Sequence, residues 1–237
     1  MKRTIIFSLA LTCALSGAFT SAHAQDGKTY APGPFDRLEI DGSAQVSVTQ
    51  GDRDQLFIRG NDEVQQSVDV SLDGKRLSVH PTGTWKFWRS QRLQITVQMR
   101  QLRMLTLSGA SDLKMDGPIK SERLDINVSG AGNVRADALD VGELRFEISG
   151  AGDGDLAGQV GKLGMSISGT GKLKAENLKA GRANVSISGA GSARLWVVDG
   201  IKVSISGIGD VDYWGKPSDV SRSTAGLGSI TAHGDKR

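Results

Sequence analysis

Ser129-Gly130-Ala131-Gly132 and Ser149-Gly150-Ala151-Gly152 are two copies of a tetrapeptide that recurs along the chain. The other copies are Ser108-Gly109-Ala110-Ser111, Ser168-Gly169-Thr170-Gly171, Ser188-Gly189-Ala190-Gly191, Ser206-Gly207-Ile208-Gly209 and Ala225-Gly226-Leu227-Gly228. Their first residues (108, 129, 149, 168, 188, 206 and 225) lie 18 to 21 positions apart. A nearly constant period of this length over most of a chain indicates a repeat protein, in which each copy forms one unit that stacks on the next.

Apolar and polar residues alternate on both sides of each tetrapeptide. Leu124, Ile126 and Val128, for example, precede the copy that begins at Ser129. A period of two residues is typical of β-strands and not of helices. We therefore predict an all-β protein, a parallel β-helix or β-solenoid with about 20 residues per coil and almost no helix.

The tetrapeptide itself is predicted to form the corner of each coil. Its glycines are expected to bend the strand by adopting positive φ angles, which other residues resist. The small residue between them, such as Ala131, is expected to point into a narrow interior. The stacked serines are expected to hydrogen-bond to one another or to the corner backbone.

The first 24 residues have the features of a secretory signal peptide. Lys2 and Arg3 precede an apolar run that is too short to span a bilayer as a helix, and Ala22-His23-Ala24 is a suitable cleavage site. Cys13, the only cysteine, lacks the small preceding residue that lipid attachment requires. We predict cleavage before Gln25 and export, to the periplasm, the cell surface or the medium. The mature chain would then contain no disulfide, no thiolate ligand and no transmembrane segment.

The mature chain is predicted to be one continuous domain. Residues 25–100 are expected to form irregular first coils and a β cap, which would cover the open end of the stack. Within them Asp73-Gly74 predicts a hairpin, and Asp41-Gly42-Ser43-Ala44 is a degraded copy of the repeat. Residues 101–232 are expected to form the regular solenoid, followed by a polar tail at 233–237.

Three segments of the chain together resemble a known bacterial family. They are the opening Phe35-Asp36-Arg37-Leu38-Glu39-Ile40, the repeated Ser-Gly-Ala-Gly, and the closing Asp210-Val211-Asp212-Tyr213-Trp214-Gly215-Lys216-Pro217. Over residues 34 to 216 the chain resembles the putative auto-transporter adhesin head GIN domain, a domain of unknown function. The resemblance implies a right-handed parallel β-helix and an adhesin-like role at the envelope, with no ligand specified.

The charge of the chain gives no reason to expect nucleic acid as a partner. The formal net charge is +3, and removal of Lys2 and Arg3 would leave 27 basic and 26 acidic residues. So balanced a chain has no general attraction for polyanions or anionic membranes.

Outward carboxylates raise the alternative of a carbohydrate-active enzyme on the same scaffold, because glycoside hydrolysis uses a pair of them. They are Asp125, Glu147, Asp153, Asp155, Asp210 and Asp212. Charged outward positions are, however, usual in any soluble strand. A calcium site at Asp153 and Asp155 is disfavoured because Lys172 occupies the equivalent position in the next repeat. We predict no catalytic residues, no metal ligands and no cofactor.

A cluster of aromatic and basic residues is the one candidate binding site in the sequence. Trp85, Phe87, Trp88 and Arg89 could bind a glycan, a peptidoglycan strand or a lipid headgroup through stacking and cation–π contacts. Alternatively, they could only cover the end of the core. The sequence thus favours a non-enzymatic exported protein whose surface binds a glycan or a protein. The alternatives are the carbohydrate-active enzyme described above and a structural element that assembles end to end. The oligomeric state stays open.

Overall fold

The computed structural model describes residues 27–82 and 93–236, which form a β-solenoid. Within them the elements are β1 (Gly27–Tyr30), β2 (Arg37–Gln50), β3 (Gln55–Arg59), α1 (Asp62–Gln66), β4 (Val68–Asp73), β5 (Arg76–Pro81), β6 (Leu93–Met99), β7 (Met104–Met115), β8 (Ile119–Val128), β9 (Ala131–Ile148), β10 (Ala151–Ile167), β11 (Thr170–Ile187), β12 (Ala190–Ile205), β13 (Ile208–Trp214), β14 (Asp219–Thr224) and β15 (Leu227–Ala232).

Successive coils stack in parallel and nearly in register. Strands β9, β10 and β11 each run around almost a whole coil, so that Ala131 lies beside Ala151 and Ile148 beside Ile167. Beyond β12 the parallel pairing divides between shorter strands. The first part of β12 pairs with β13, which pairs in turn with β15, and the last part of β12 pairs with β14. The predicted solenoid of about 20 residues per coil is confirmed.

The alternating residues of each strand divide between the core and the surface. Leu144, Phe146 and Ile148 are completely buried, whereas Arg145 and Glu147 between them face solvent. Each buried side chain of this kind contributes about 1.5–3 kcal/mol relative to exposure. A small residue lies next to a large one in the core. Gly154 takes an inward position beside Phe146, where a Cβ would lie 2.7 Å from the phenyl ring.

The Ser-Gly-x-Gly corners are tight because the backbones of neighbouring coils approach very closely. A Cβ on Gly150 would lie 2.1 Å from the carbonyl oxygen of Gly130 on the preceding coil. Positive φ angles occur only in the first two copies, at Gly42 (94°) and Gly109 (102°). The predicted positive φ angle therefore explains the glycine at two corners. At the later corners glycine is required because a Cβ would collide with the backbone of the preceding coil.

The small residue between the two glycines points outward, so the prediction of an inward residue was wrong. Ala131 and Ala151 are exposed, and Ile208, at the equivalent position, exposes 62% of its surface. The second glycine faces inward instead: a Cβ on Gly132 would lie 2.2 Å from the carbonyl oxygen of Ser111. This alternation follows from the pleat of the strand.

At the N-terminal end the chain does not stack its coils in sequence order. Strand β2 lies between β7 on one side and the pair β5 and β6 on the other, and Gly42 is in register with Gly109. Antiparallel strands then extend the outermost coil: β3 and β1 beyond β6, and β4 beyond β5. The hairpin predicted from Asp73-Gly74 is present between β4 and β5; Asp73 pairs with Arg76, so the two loop residues are Gly74 and Lys75.

At the C-terminal end polar side chains terminate the core. Arg222 and Thr224 of β14 stack on Val203 and Ile205, at positions that are apolar in the coils before. The guanidinium group of Arg222 lies 5.3 Å from the centre of the Tyr213 ring and donates a hydrogen bond to its hydroxyl. Arg222 thus covers the buried Tyr213, while Val220 and Leu227 of the last coil are exposed apolar side chains.

Candidate ligand-binding groove

A second column of glycines lies at another corner of the solenoid. It consists of Gly142, Gly161 and Gly181, in Val-Gly-Glu, Val-Gly-Lys and Ala-Gly-Arg. A Cβ on any of them would lie 2.6 to 2.7 Å from a carbonyl oxygen of the preceding coil, so this corner is also restricted to glycine. Because three stacked coils have no side chain here, the corner is a depression between the residues on either side.

Neighbouring cavities along this corner share lining residues, and together we call them the groove. One of about 350 Å³ is lined by Asp140, Val141, Gln159, Val160, Gly161, Lys179, Gly181, Val198 and Asp199. The next, of about 720 Å³, shares Asp140 and is also lined by Gln50, Arg100, Gln101, Arg103, Lys120, Ser121, Glu122 and Gly142. A third, of about 260 Å³, shares Arg100 and Gln101 and reaches Lys75 in the cap. The groove therefore crosses successive coils, parallel to the solenoid axis.

One wall of the groove is a column of polar side chains in register. It runs through Lys120, Asp140, Gln159 and Lys179, one residue per coil. Gln159 Nε2 donates a hydrogen bond of 3.0 Å to Asp140 Oδ1, and the Lys179 ammonium group lies 5.6 Å from the centre of the Trp196 ring. At a strand spacing of about 4.8 Å, this wall is about 14 Å long. It offers hydrogen-bond donors and acceptors at regular intervals.

Gln50 holds the groove together where strand β2 ends. Its side-chain amide donates to the carbonyl oxygens of Arg100 (3.0 Å) and Lys120 (3.1 Å), and its Oε1 accepts from the Lys120 N–H at 2.6 Å. Like a backbone peptide group, the side-chain amide of Gln50 both donates and accepts hydrogen bonds, and it thereby links the backbones of two coils. Since backbone groups need partners, this contact stabilises the groove wall.

Arg100 is fixed in the wall by a buried carboxylate. Asp54, whose side chain exposes 5% of its surface, accepts hydrogen bonds from the Arg100 backbone N–H (2.9 Å) and from its Nε (2.6 Å). A guanidinium group bonded in this way has a defined orientation. Arg100 therefore has a defined orientation in the groove wall, and its positive charge is compensated by Asp54.

A side cavity of about 230 Å³ opens next to Arg103 and holds more arginines. It is lined by Arg37, Arg103, Met104, Arg123 and Asp125. Arg123 Nε donates to Asp125 Oδ2 at 3.0 Å, and this hydrogen bond, together with the negative charge of Asp125, raises the pKa of the Arg123 guanidinium group. Its cation is retained at any physiological pH.

Trp85, Phe87, Trp88 and Arg89, the site residues predicted from the sequence, lie outside the described residues. The strands on either side of them, β5 and β6, pair with β2 before and after its Gly42 corner. The aromatic site stays a prediction.

Most of the outward carboxylates make structural contacts between or within coils. Asp153 accepts a hydrogen bond from the Lys172 backbone N–H, and Asp210 accepts two from Ser229. The two histidines each contact one carboxylate at 2.7 Å, His80 with Asp41 and His233 with Asp212. In the part of the chain that the structure describes, no three His, Cys, Asp or Glu side chains are grouped so as to hold a metal ion.

Sequence reasoning missed the groove, although a signal was present. Gly142, Gly161 and Gly181 recur 19 and 20 residues apart, the period of the main repeat. The single glycine of this second column is less conspicuous than the tetrapeptide, and the residues around it vary in charge. The contacts of Gln50 had no sequence signal, because they join residues 50 and 70 positions apart.

The family model for "Putative auto-transporter adhesin, head GIN domain" matches residues 34–217. The chain belongs to this family. The resemblance inferred from the sequence is confirmed, since the matched region includes the opening, the repeats and the closing segment.

Solved structures share the fold of this chain. A structure described as a putative adhesin from Bacteroides fragilis has a TM-score of 0.82 and 23% identity, covering 87% of this chain and 95% of that one. One described as a putative lipid binding protein from Parabacteroides distasonis has a TM-score of 0.71 and 20% identity, covering 87% and 96%. A search of curated proteins finds no match. No helix among residues 27–82 and 93–236 is long and apolar enough to cross a membrane.

Proposed function

We propose that this protein is an exported, non-enzymatic binding protein of the cell envelope, which holds an extended ligand in the groove of the second glycine corner. The observation that carries the proposal is that successive cavities along this corner share the lining residues Asp140, Arg100 and Gln101. A linear polymer lying along the solenoid axis can contact every coil in turn. The family's description as a putative adhesin is consistent with a binding role.

The groove is preorganised for such a ligand. Its floor is backbone held in place by both neighbouring coils, and Gln50 and Arg100 in its wall are fixed by hydrogen bonds. A rigid site loses little conformational entropy when the ligand binds. The aromatic residues Trp85, Phe87 and Trp88, together with Arg89, remain a predicted ligand-binding site.

End-to-end assembly, the structural alternative, is opposed by Arg222. A second molecule stacked on β14 would bury this charged side chain, which occupies an inward position of the last coil. Inward-pointing charges are a known means by which proteins prevent pairing at exposed strand edges.

Binding of polysaccharides and proteins extracted from the envelope, measured by biolayer interferometry, tests the proposal. We expect the double variant Asp140→Ala/Gln159→Ala to bind its ligand about tenfold more weakly, because hydrogen bonds along one wall are lost. The control Asp155→Ala/Lys172→Ala, on a different side of the same coils, should bind like the wild type.

Two results would contradict the proposal. One is equal loss of binding in both double variants, which would place the ligand elsewhere. The other is the release of reducing ends from a polysaccharide by the wild type, with loss of this activity in Asp153 or Asp155 variants. That outcome would establish the enzyme alternative.

A further inference from the structure

The charges that line the groove balance one another. Its three cavities are lined by five basic residues (Lys75, Arg100, Arg103, Lys120 and Lys179) and five acidic ones (Asp36, Asp54, Glu122, Asp140 and Asp199). The two signs are intermixed, because each cavity contains both. A cleft lined by one sign of charge concentrates ligands of the opposite sign, and a balanced cleft has no such preference. The groove is therefore strongly polar without a net charge.

Uncharged hydrogen-bonding side chains outnumber exposed apolar ones in the groove. Its uncharged polar residues are Gln50, Gln101, Ser121 and Gln159. Of the apolar residues that line the three cavities, only Pro34 and Val198 are exposed. A lipid chain would have to displace water from these polar groups without replacing its hydrogen bonds, which is unfavourable. The hydroxyl groups of a sugar can both donate hydrogen bonds to such a surface and accept them from it.

The floor of the groove is not suited to an extended peptide. Peptides are commonly bound by adding a strand to an exposed sheet edge or by placing apolar side chains in pockets. Strands β9, β10 and β11, which contain the three floor glycines, already pair with a strand on each side. Because the groove also has few exposed apolar residues, its composition favours a polysaccharide over a peptide.

The cavity at the cap end of the groove contains a carboxylate that lacks a hydrogen-bond donor. Pro34, Phe35 and Asp36, from the opening segment of the family, line this cavity. The Asp36 side chain exposes 7% of its surface, and among the described residues its buried Oδ1 has no hydrogen-bond partner. Arg37 Nε lies 3.7 Å from Oδ1 and Lys75 Nζ lies 3.9 Å from Oδ2, so both compensate the charge from beyond hydrogen-bond distance. A buried acceptor without a donor is unfavourable, and a ligand hydroxyl group can supply the missing donor.

We propose that the groove binds an uncharged, linear polysaccharide, and that the cavity at Asp36 holds one of its sugar units. This inference rests on the function proposed above and specifies its ligand class. A sugar hydroxyl group donates to the Asp36 carboxylate without adding a charge to a balanced site. The cavity of about 260 Å³ is smaller than the roughly 300–1,000 Å³ of pockets for drug-sized ligands, which suits a single unit of a longer chain.

The polar wall of the groove supplies contacts for the following units. Lys120, Asp140, Gln159 and Lys179 succeed one another at the strand spacing of about 4.8 Å. This spacing is close to the length of one pyranose unit in an extended chain. A polysaccharide that lies parallel to the solenoid axis therefore meets a new hydrogen-bonding side chain with nearly every unit.

Isothermal titration calorimetry tests the ligand class. The probes are linear hexasaccharides of glucose, mannose and N-acetylglucosamine, with hexagalacturonate as the acidic control. We expect an uncharged hexasaccharide to bind about tenfold or more tightly than hexagalacturonate, whose carboxylates would lie beside those of Glu122 and Asp140. The affinity for the uncharged ligand should not change as salt is added, because no net charge is neutralised on binding.

Two variants test the cavity at Asp36. Asp36→Asn should weaken binding of the uncharged hexasaccharide about tenfold, since a hydrogen bond to a charged acceptor is lost. The matched control is Glu39→Gln, which removes a carboxylate that lies 4.0 Å from Arg76 and lines none of the three cavities; it should bind like the wild type. Gln101 is exposed and lines two of the cavities, so Gln101→Ala should weaken binding several-fold without a change in melting temperature. If Asp36 has only a structural role, its variant melts at a lower temperature and keeps its affinity.

Three further outcomes would overturn the inference. If hexagalacturonate binds more tightly than every uncharged hexasaccharide, and Asp140→Ala/Gln159→Ala weakens it, the proposed function stands and the uncharged class is wrong. If no hexasaccharide binds while the envelope screen identifies a protein ligand in the groove, the polysaccharide assignment fails and the binding role is retained. If a hexasaccharide binds and none of the groove variants weakens it, the ligand lies elsewhere, and both the inference and the proposed function fail.

Discussion

The two glycine corners of the solenoid have the same steric origin and different consequences. At the Ser-Gly-x-Gly corner, a Cβ on Gly169 would lie 1.9 Å from the carbonyl oxygen of the preceding coil, and paired glycines leave little room for anything but backbone. At the second corner the corresponding distance is 2.7 Å for Gly161, and the residue that follows each glycine (Glu143, Lys162 or Arg182) is long and charged. The first corner is closed, and the second is the floor of a groove.

This difference shows why the most recognisable motif need not be the site of action. The tetrapeptide is repeated because every coil must meet the same steric demand. Around Gly142, Gly161 and Gly181 the residue before each glycine is buried in the core, whereas the residue after it is partly or fully exposed and is free to differ in charge. Variation on a constant scaffold is what a ligand-specific surface requires.

The largest expected effect is that of a single methyl group at the closed corner. Gly150→Ala should lower the free energy of unfolding by about 3 kcal/mol, because the Cβ would overlap the carbonyl oxygen of Gly130. Denaturation by guanidinium chloride measures this. The control is Gly164→Ala, whose Cβ would have no neighbour closer than 3.6 Å and should change stability by about 0.5 kcal/mol in either direction. Equal effects of the two substitutions would show that the close approach of the coils is not what requires glycine.

An intermediate effect is expected at the open corner. Gln50→Ala should cost about 2 kcal/mol, since it removes three hydrogen bonds to the backbones of two coils. Hydrogen exchange of the Lys120 amide should accelerate at the same time. Gln45→Ala, an exposed glutamine in the same strand, should leave both quantities unchanged. An unchanged exchange rate in the Gln50 variant would mean that the groove wall does not depend on this contact.

The smallest effect is expected for the corner serines. Ser188 is exposed, and Ser188→Ala should change stability by less than about 0.5 kcal/mol. Ser111, by contrast, is 1% exposed and donates a hydrogen bond of 3.0 Å to the Gly42 carbonyl oxygen, so Ser111→Ala should cost about 1 kcal/mol. Thermal unfolding of both variants measures the difference. A large loss in the Ser188 variant would show that the stacked serines stabilise the later corners.

The family model and the structures agree on the fold, while the function remains the proposal made above. The structures described as putative adhesins share about a fifth of their residues with this chain. At that level of identity the likeness shows the fold alone.

The sequence by itself determined the solenoid, its period and its family. Residues 108 to 228 repeat one local pattern, and every copy pairs with an equivalent copy, so local alternation was enough to predict the coils. The tertiary structure alone decided the direction of Ala131, the placement of β2 between β6 and β7, and the groove. The physical reason is that each of these depends on which backbone lies on the neighbouring coil, about 20 residues or more away in the chain. A repeated sequence pattern predicts that coils stack, and only the tertiary structure shows which residues of neighbouring coils come into contact.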